Sequence, residues 1–493
     1  MPFVTGPLPQ RLKLVHGFGA VAFGVKDSGF SFFLLPFYNL VLGVDASTVG
    51  AALAAALVID ALVDPLIGHL SDRTYTKWGR RLPWLYLAPW PLALVWTMLW
   101  SPPFTGTPGF WDIVALAVGV RLLLSACEVP SVSLVPEITD DYDDRTTLFR
   151  YRFLSGWLGG LLMMVLTFTV FLPTPQSQLQ PEGYASYGLF GAALIALSVI
   201  GSAAAQHRIV AQLPERRPPP FSITGAFAEI FDAFREKAFV IFALGGLAAY
   251  VLQGMTFSIT QYVNLYVWQF SELAFQLYPA VLFLSVVLMF VIVGPLHRRW
   301  GKPKSAALGA LVGLAFYCSP YVFYLAGAWP TVGTTASTAL LYGFLVCANT
   351  ASVVAIISAT SMVAEIVEAF EERTGQRAEG TFYAGNWLVQ KCATGGGILL
   401  TSLIVQSIDL APGTPQTEVA PETVRQLVWL FMLAATVLAS IAAFWLARFP
   451  ISREQHEARV AARRGRPAPP APATADPLDQ AVRADPDAHT ITP

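Results

Sequence analysis

Apolar residues occupy this chain in blocks of about twenty or more, set apart by short polar stretches. A helix rising ~1.5 Å per residue needs about 20 apolar residues to cross a ~30 Å hydrocarbon core. The blocks predict helices over 12–42, 46–71, 84–102, 109–135, 149–173 and 185–211, then 238–266, 273–296, 305–327, 335–362, 381–407 and 425–447. The polar stretches alternate in charge. One set carries Arg73, Lys77, Arg80 and Arg81; Arg145; Arg216 and Arg217; Arg298, Arg299, Lys302 and Lys304; Arg373 and Arg377. The other set, at 43–45, 103–108, 174–184, 267–272, 328–334 and 408–424, has no Lys or Arg. The positive-inside rule places the first set, and with it both termini, in the cytoplasm. The N-terminal block has no small-residue cleavage site after a short apolar core, so it is expected to be retained as a span.

Composition agrees. Of 493 residues 55% are hydrophobic and 13% charged, where soluble chains carry about 25%. A net charge of −1 gives no electrostatic footprint for nucleic acid. Cys127, Cys318, Cys347 and Cys392 all fall in apolar blocks without metal-ligand spacing, and are expected to be buried small hydrophobes.

The pattern divides in two. Residues 1–211 and 238–447 each supply six spans, joined by a connector at 212–237 with a Pro-rich run and an amphipathic stretch. From 448 to 493 the chain is polar and Pro/Ala-rich and is expected to be a disordered cytoplasmic tail. The halves also repeat. VPEITDDYDDRT (135–146) aligns without gaps on VAEIVEAFEERT (363–374), each closing the fourth span of its half. Trp78-Gly79-Arg80 is echoed by Trp300-Gly301-Lys302 after each second span. Parallel repeats of this kind place a substrate near the midplane between the halves, as in major facilitator carriers.

Eight charged residues interrupt the apolar blocks: Lys26, Asp27, Asp60, Asp64, Arg121, Glu128, Arg152 and Lys391. Each costs at least a few kcal/mol at membrane depth unless it is paired or functional. Asp60 and Asp64 lie ~40° apart on one helix face and about 6 Å along the axis. A cation held by oxygens, or a shared proton, would neutralise them, so this stretch is expected to form half of a cation site. Arg121 and Glu128 share a face of the fourth span, and static ion pairing is the competing explanation for all eight. Gln253, Gln261, Asn264, Asn349 and Thr350 are expected to bond helix to helix, and Phe382, Tyr383 and Trp387 to be packing or interface residues. Asp72 beside Arg73, Arg80 and Arg81 suggests an inner-gate salt bridge. No Walker sequence, zinc spacing or nucleophile elbow is present, so the expectation is a carrier and not an enzyme, with no cofactor beyond a coupling cation.

Four groups of residues resemble the glycoside–pentoside–hexuronide:cation symporters of the major facilitator superfamily. They are Lys26-Asp27; Asp60-x-x-x-Asp64-Pro65 with Gly68 and Asp72-Arg73; Glu128-x-Pro130 with Leu134-Val-Pro136; and Ser361 to Glu365 through Thr374-Gly-x-Arg377-x-Glu379-Gly380 to Lys391. The resemblance implies an all-α polytopic membrane protein with twelve transmembrane helices in two six-helix halves. It implies symport of a sugar with Na+ or H+ by alternating access in the inner membrane, by a monomer. It assigns Asp60, Asp64 and Ser125 to the cation, with Asp60 and Asp64 as metal ligands only if sodium is that cation. It assigns Lys26, Asp27, Glu128, Arg152 and Lys391 to the solute. The chain departs from melibiose carriers in having Glu128 for Asp, Val132 for a sugar-stacking Trp and Val63 for an Asn beside the cation. Loss of the Asn oxygen favours a proton over sodium. The related lysophospholipid carriers keep the acidic pair and the Lys, so an amphipathic or lysolipid-like solute is the alternative substrate. A solute sensor built on the same fold is the rival from another class.

Overall fold

The computed structural model describes residues 4, 6, 8–211, 232–375, 378–408, 410–416 and 418–450. The expected connector over 212–231, the tail from residue 451 and Arg377 lie outside them. Ten helices are long and apolar enough to cross a membrane among the described residues. Two local features turn ten into twelve crossings. The 54-residue helix Glu272–Leu325 would be ~80 Å long if straight, but Gly301 takes φ 73°, ψ 171° in its middle. The pieces Leu82–Leu87 and Pro89–Trp100 are each too short alone and together make one crossing, interrupted where Pro89 and Pro91 withhold their N–H donors.

The crossings are α1 (Gln10–Val41), α2 (Ala46–Arg73), α3 (Leu82–Leu87 with Pro89–Trp100), α4 (Phe110–Ile138), α5 (Asp143–Phe171) and α6 (Pro181–Val210). The second six are α7 (Lys237–Val267), α8 and α9 (the arms of Glu272–Leu325 before and after Gly301), α10 (Thr335–Thr374), α11 (Glu379–Ser407) and α12 (Pro421–Leu446). That α8 and α9 fold back on each other follows from α10, which touches both. Thr350 Oγ1 donates to the Ser285 carbonyl of α8 at 3.1 Å, and His297 of α8 meets Ser358 at 2.7 Å. A Cβ on Gly309 of α9 would lie 2.8 Å from the Ala351 carbonyl, and one on Gly313 would lie 2.7 Å from Ser352 Oγ. The expected loop between these spans is a one-residue reversal, because glycine alone takes that φ without strain. α10 also runs past its expected end at 362 to Thr374.

The repeat recurs in the backbone. α1 and α7 both finish in a π-turn, Phe37–Val41 and Val263–Val267. The following bonds match pair for pair: Leu42 N to Phe37 O and Val44 N to Tyr38 O, against Trp268 N to Val263 O and Phe270 N to Asn264 O. Gly79 and Gly301 both have positive φ, 86° and 73°. Lipid offers little hydrophobic drive for helix association, so close contact of small residues does the work. A Cβ on Gly24 of α1 would fall 1.7 Å from the Gly156 carbonyl of α5, and one on Gly397 of α11 would fall 2.2 Å from the Val251 carbonyl of α7.

The halves meet toward the end whose loops lack Lys and Arg. Tyr262 Oη donates to Asn39 Oδ1 at 2.9 Å, and Gly413 N to the Leu40 carbonyl at 2.8 Å. Gln261 bonds Gln178, and Phe168 packs on Phe275 with ring centroids 5.1 Å apart. α2 and α11 are in van der Waals contact there: a Cβ on Gly50 would sit 2.0 Å from Ser402 Oγ, and one on Gly395 would sit 3.3 Å from Ala54 Cα. Further along the same two helices the fit loosens. A Cβ on Gly68 would meet only Val129 of its own half, and one on Gly380 would meet nothing within 4 Å. The α2–α11 seam is therefore tight at one end and open toward the Lys/Arg-rich end.

Of the cysteines, Cys127 and Cys318 are buried as expected, but Cys392 is half-buried and Cys347 is exposed. An apolar block can face lipid as readily as a neighbouring helix, and hydropathy alone does not separate the two. Trp387 is likewise exposed, whereas Phe382 is buried.

Candidate functional site

Asp60 and Asp64 stand one turn apart in the middle of α2. Pro65, next to Asp64, has no N–H to give the Ala61 carbonyl, so the helical ladder is interrupted beside the two carboxylates. Across from them on α4, Ser125 Oγ lies 3.2 Å from Asp60 Oδ1 and 2.6 Å from Asp64 Oδ1, within reach of both and able to donate to either. Lys391 enters from α11 of the second half. Its Nζ is 2.9 Å from Asp60 Oδ2 and also bonds Asp64 Oδ2. Arg121, one turn before Ser125, places Nη1 3.2 Å from the same Asp60 Oδ2. All four carboxylate oxygens are thus engaged, by one hydroxyl and two basic groups.

A second cluster lies further along α4. Arg152 of α5 donates to Glu128 Oε1 at 2.7 Å and to Ser131 Oγ at 2.5 Å. Glu128 and Ser131 also line a small void with Gly19, Ala22, Leu124 and Ser202. On α1, Lys26 is buried with Nζ 3.7 Å from Asp27 Oδ1 and 4.4 Å above the centre of the Phe23 ring, while Asp27 is exposed. The two clusters share α4 and lie within two turns of each other along it.

The structure thus brings Asp60, Asp64 and Ser125 together as the sequence suggests, and pairs Glu128 with Arg152. It departs from expectation at two places. Arg121 and Glu128 share a helix but not a partner, since Arg121 turns to Asp60. Lys391, expected on the solute, sits on the acidic pair. Asp72 bonds Arg81, which also reaches Glu137 at 3.1 Å, while Arg80 lies 3.3 Å from Glu137. All four of these residues belong to the first half, so these pairs tie a rim together. Glu137 carried no functional reading in the sequence. The signal that could have exposed it is the repeat: Glu137 aligns with Glu365, and Arg80 with Lys302, whose Nζ lies 3.0 Å from Glu365 Oε1. Of the polar residues, Gln261 and Thr350 bond to neighbouring elements as expected, whereas the buried Asn264 Nδ2 has no hydrogen-bond partner.

Twelve crossings in two repeated halves, with buried charges gathered on the inner helices, define a secondary transporter of the major facilitator fold. The chain belongs to the family described as MFS/sugar transport protein, which it matches over residues 15–453. It is 27% identical to an uncharacterised symporter of Synechocystis sp., over 90% of this chain and 94% of that one. It is 30% identical to an isoprimeverose transporter of Lactiplantibacillus pentosus, over 32% of this chain and 33% of the other. Among solved structures, the nucleoside transporter NupG superposes with a TM-score of 0.61 at 16% identity, covering 90% of this chain and all of that one. That likeness speaks for the fold. The relatives are transporters and not enzymes.

Proposed function

We propose that this protein is a cation-coupled symporter of a glycoside or related sugar, working by alternating access as a monomer in the inner membrane. Its Lys/Arg-rich loops and both termini face the cytoplasm. The observation that carries this reading is the meeting of Asp60, Asp64 and Ser125 with Lys391, a site built from both halves. Two carboxylates at membrane depth demand a positive partner in every state of the cycle. In the present arrangement Lys391 supplies it. When the halves rock apart on the other side, Lys391 withdraws with α11, and a cation from solution, H+ or Na+, must replace it. Asp27, Glu128 and Arg152 offer the solute carboxylate acceptors and guanidinium donors beside Lys26, a set suited to sugar hydroxyls. The isoprimeverose transporter among the relatives supports a sugar. Coupling is reciprocal: a cation that tightens solute binding is itself bound more tightly by the same factor when solute is present.

The test is uptake into proteoliposomes with an imposed proton or sodium gradient, using a panel of glycosides, hexuronides and lysolipids. Gradient-driven accumulation of a sugar, lost in Asp64→Asn and Asp60→Asn, is the expected result. Normal accumulation by either variant overturns the cation role of the pair. Uptake confined to lysolipids overturns the substrate, and solute binding without uptake makes the protein a sensor.

A further inference from the structure

Arg121 is a buried charge that takes no part in the Glu128–Arg152 cluster. Its guanidinium is buried in the first half, with Cζ 4.6 Å above the centre of the Phe30 ring and Nη1 on Asp60 Oδ2. Its Nε has no hydrogen-bond partner. Packing against α1 and bonding to α2 hold it within its own half. Lys391, by contrast, arrives from the other half and leaves with it. The two basic groups on the acidic pair therefore differ in kind, one resident and one exchangeable.

We propose that Arg121 is a specificity-determining residue that excludes sodium from the acidic pair. The inference rests on the symporter reading above and narrows its coupling ion. A metal ion bridging Asp60 and Asp64 would have to share Asp60 Oδ2 with Arg121 Nη1, a like charge held in place by the Phe30 ring. Moving Arg121 aside would strand a guanidinium among apolar side chains at membrane depth.

The experiment uses thermal melts of the purified full-length protein in detergent, with NaCl compared with choline chloride at equal ionic strength. It needs no solute, so it reads out even if the glycoside assignment fails. Wild type is expected to melt at one temperature in both salts. Arg121→Met and Arg121→Gln are expected to gain a sodium-specific rise that saturates with concentration. In proteoliposomes, sodium should then stimulate solute uptake by these variants on the order of tenfold or more. Lys391→Met retains Arg121 and is expected to stay blind to sodium, which keeps the test decisive if the Arg121 variants do not fold. Sodium-specific stabilisation of wild type or of Lys391→Met overturns the proposal, as do folded Arg121 variants that ignore sodium.

Discussion

Lys391 Nζ lies 2.9 Å from Asp60 Oδ2, joining the eleventh crossing to the second across the line between the halves. Lys391 is only half-buried and Arg121 stays on Asp60, so removing the lysine costs less than the ~3–5 kcal/mol of breaking a fully buried pair. Here the cost falls on the closed arrangement of the α2–α11 seam and can be relieved by opening it. Lys391→Met is therefore expected to raise the labelling of Ala54→Cys by a membrane-impermeant maleimide added from the Lys/Arg-free side. Ala54 touches Gly395 across that seam. Unchanged labelling would show that Lys391 does not hold the halves together.

A milder tie lies further out, where Tyr262 Oη donates to Asn39 Oδ1 at 2.9 Å. Tyr262→Phe removes one buried hydrogen bond, worth ~0.5–1.5 kcal/mol. Asn39 keeps its bond from Nδ2 to the Val44 carbonyl, so α1 should stay in place. The expected result is a two- to tenfold rise in the same labelling (about the ratio such an energy sets) with little change in melting temperature. A large fall in melting temperature would mean that the bond supports the fold instead of one state of it.

The crossings were legible because membrane crossing imposes a long apolar block on sequence directly. The acidic pair was legible because a carboxylate inside an apolar block has few bland explanations. What stayed hidden was partner choice. Arg121 and Glu128 share a helix face by spacing, yet the rotation of α4 against α2 and α5 sends one to Asp60 and the other to Arg152. Periodicity describes one helix at a time and carries no information about which helix lies opposite. The same limit left Lys391 on the solute. Two halves aligned residue by residue do carry such information, and the Lys302–Glu365 pair is the instance.

Glycine positions separate packing from gating. A Cβ on Gly397 would strike the Val251 carbonyl at 2.2 Å inside one half, where backbone cannot give way cheaply. Gly397→Val is expected to destabilise by at least the ~1–3 kcal/mol typical of overpacking, read as a lower melting temperature and poor expression. Gly50→Val meets Ser402 across the seam between halves, and the strain can be relieved by parting them. It should fold nearly as wild type while raising labelling at Ala54→Cys. Equal melting-temperature losses in both variants would contradict this division.

The repeated rim pairs give a test of independence. Glu137 holds Arg80 and Arg81 in the first half, and Glu365 holds Lys302 in the second. Among the described residues no partner is shared between the two groups, so their energies should add within ~0.3–0.5 kcal/mol. Glu137→Gln should be the costlier single change, because it removes the carboxylate that, with Asp72, balances the nearly buried Arg81. Charge-assisted bonds of this kind contribute ~1.5–3 kcal/mol. Glu365→Gln leaves Lys302, which is about a third exposed and can turn to water, so less is lost. Thermal or denaturant melts of the two single variants and the double variant decide the matter. Clear non-additivity would mean that the rims touch in some populated state, which would make these pairs a gate across the halves after all.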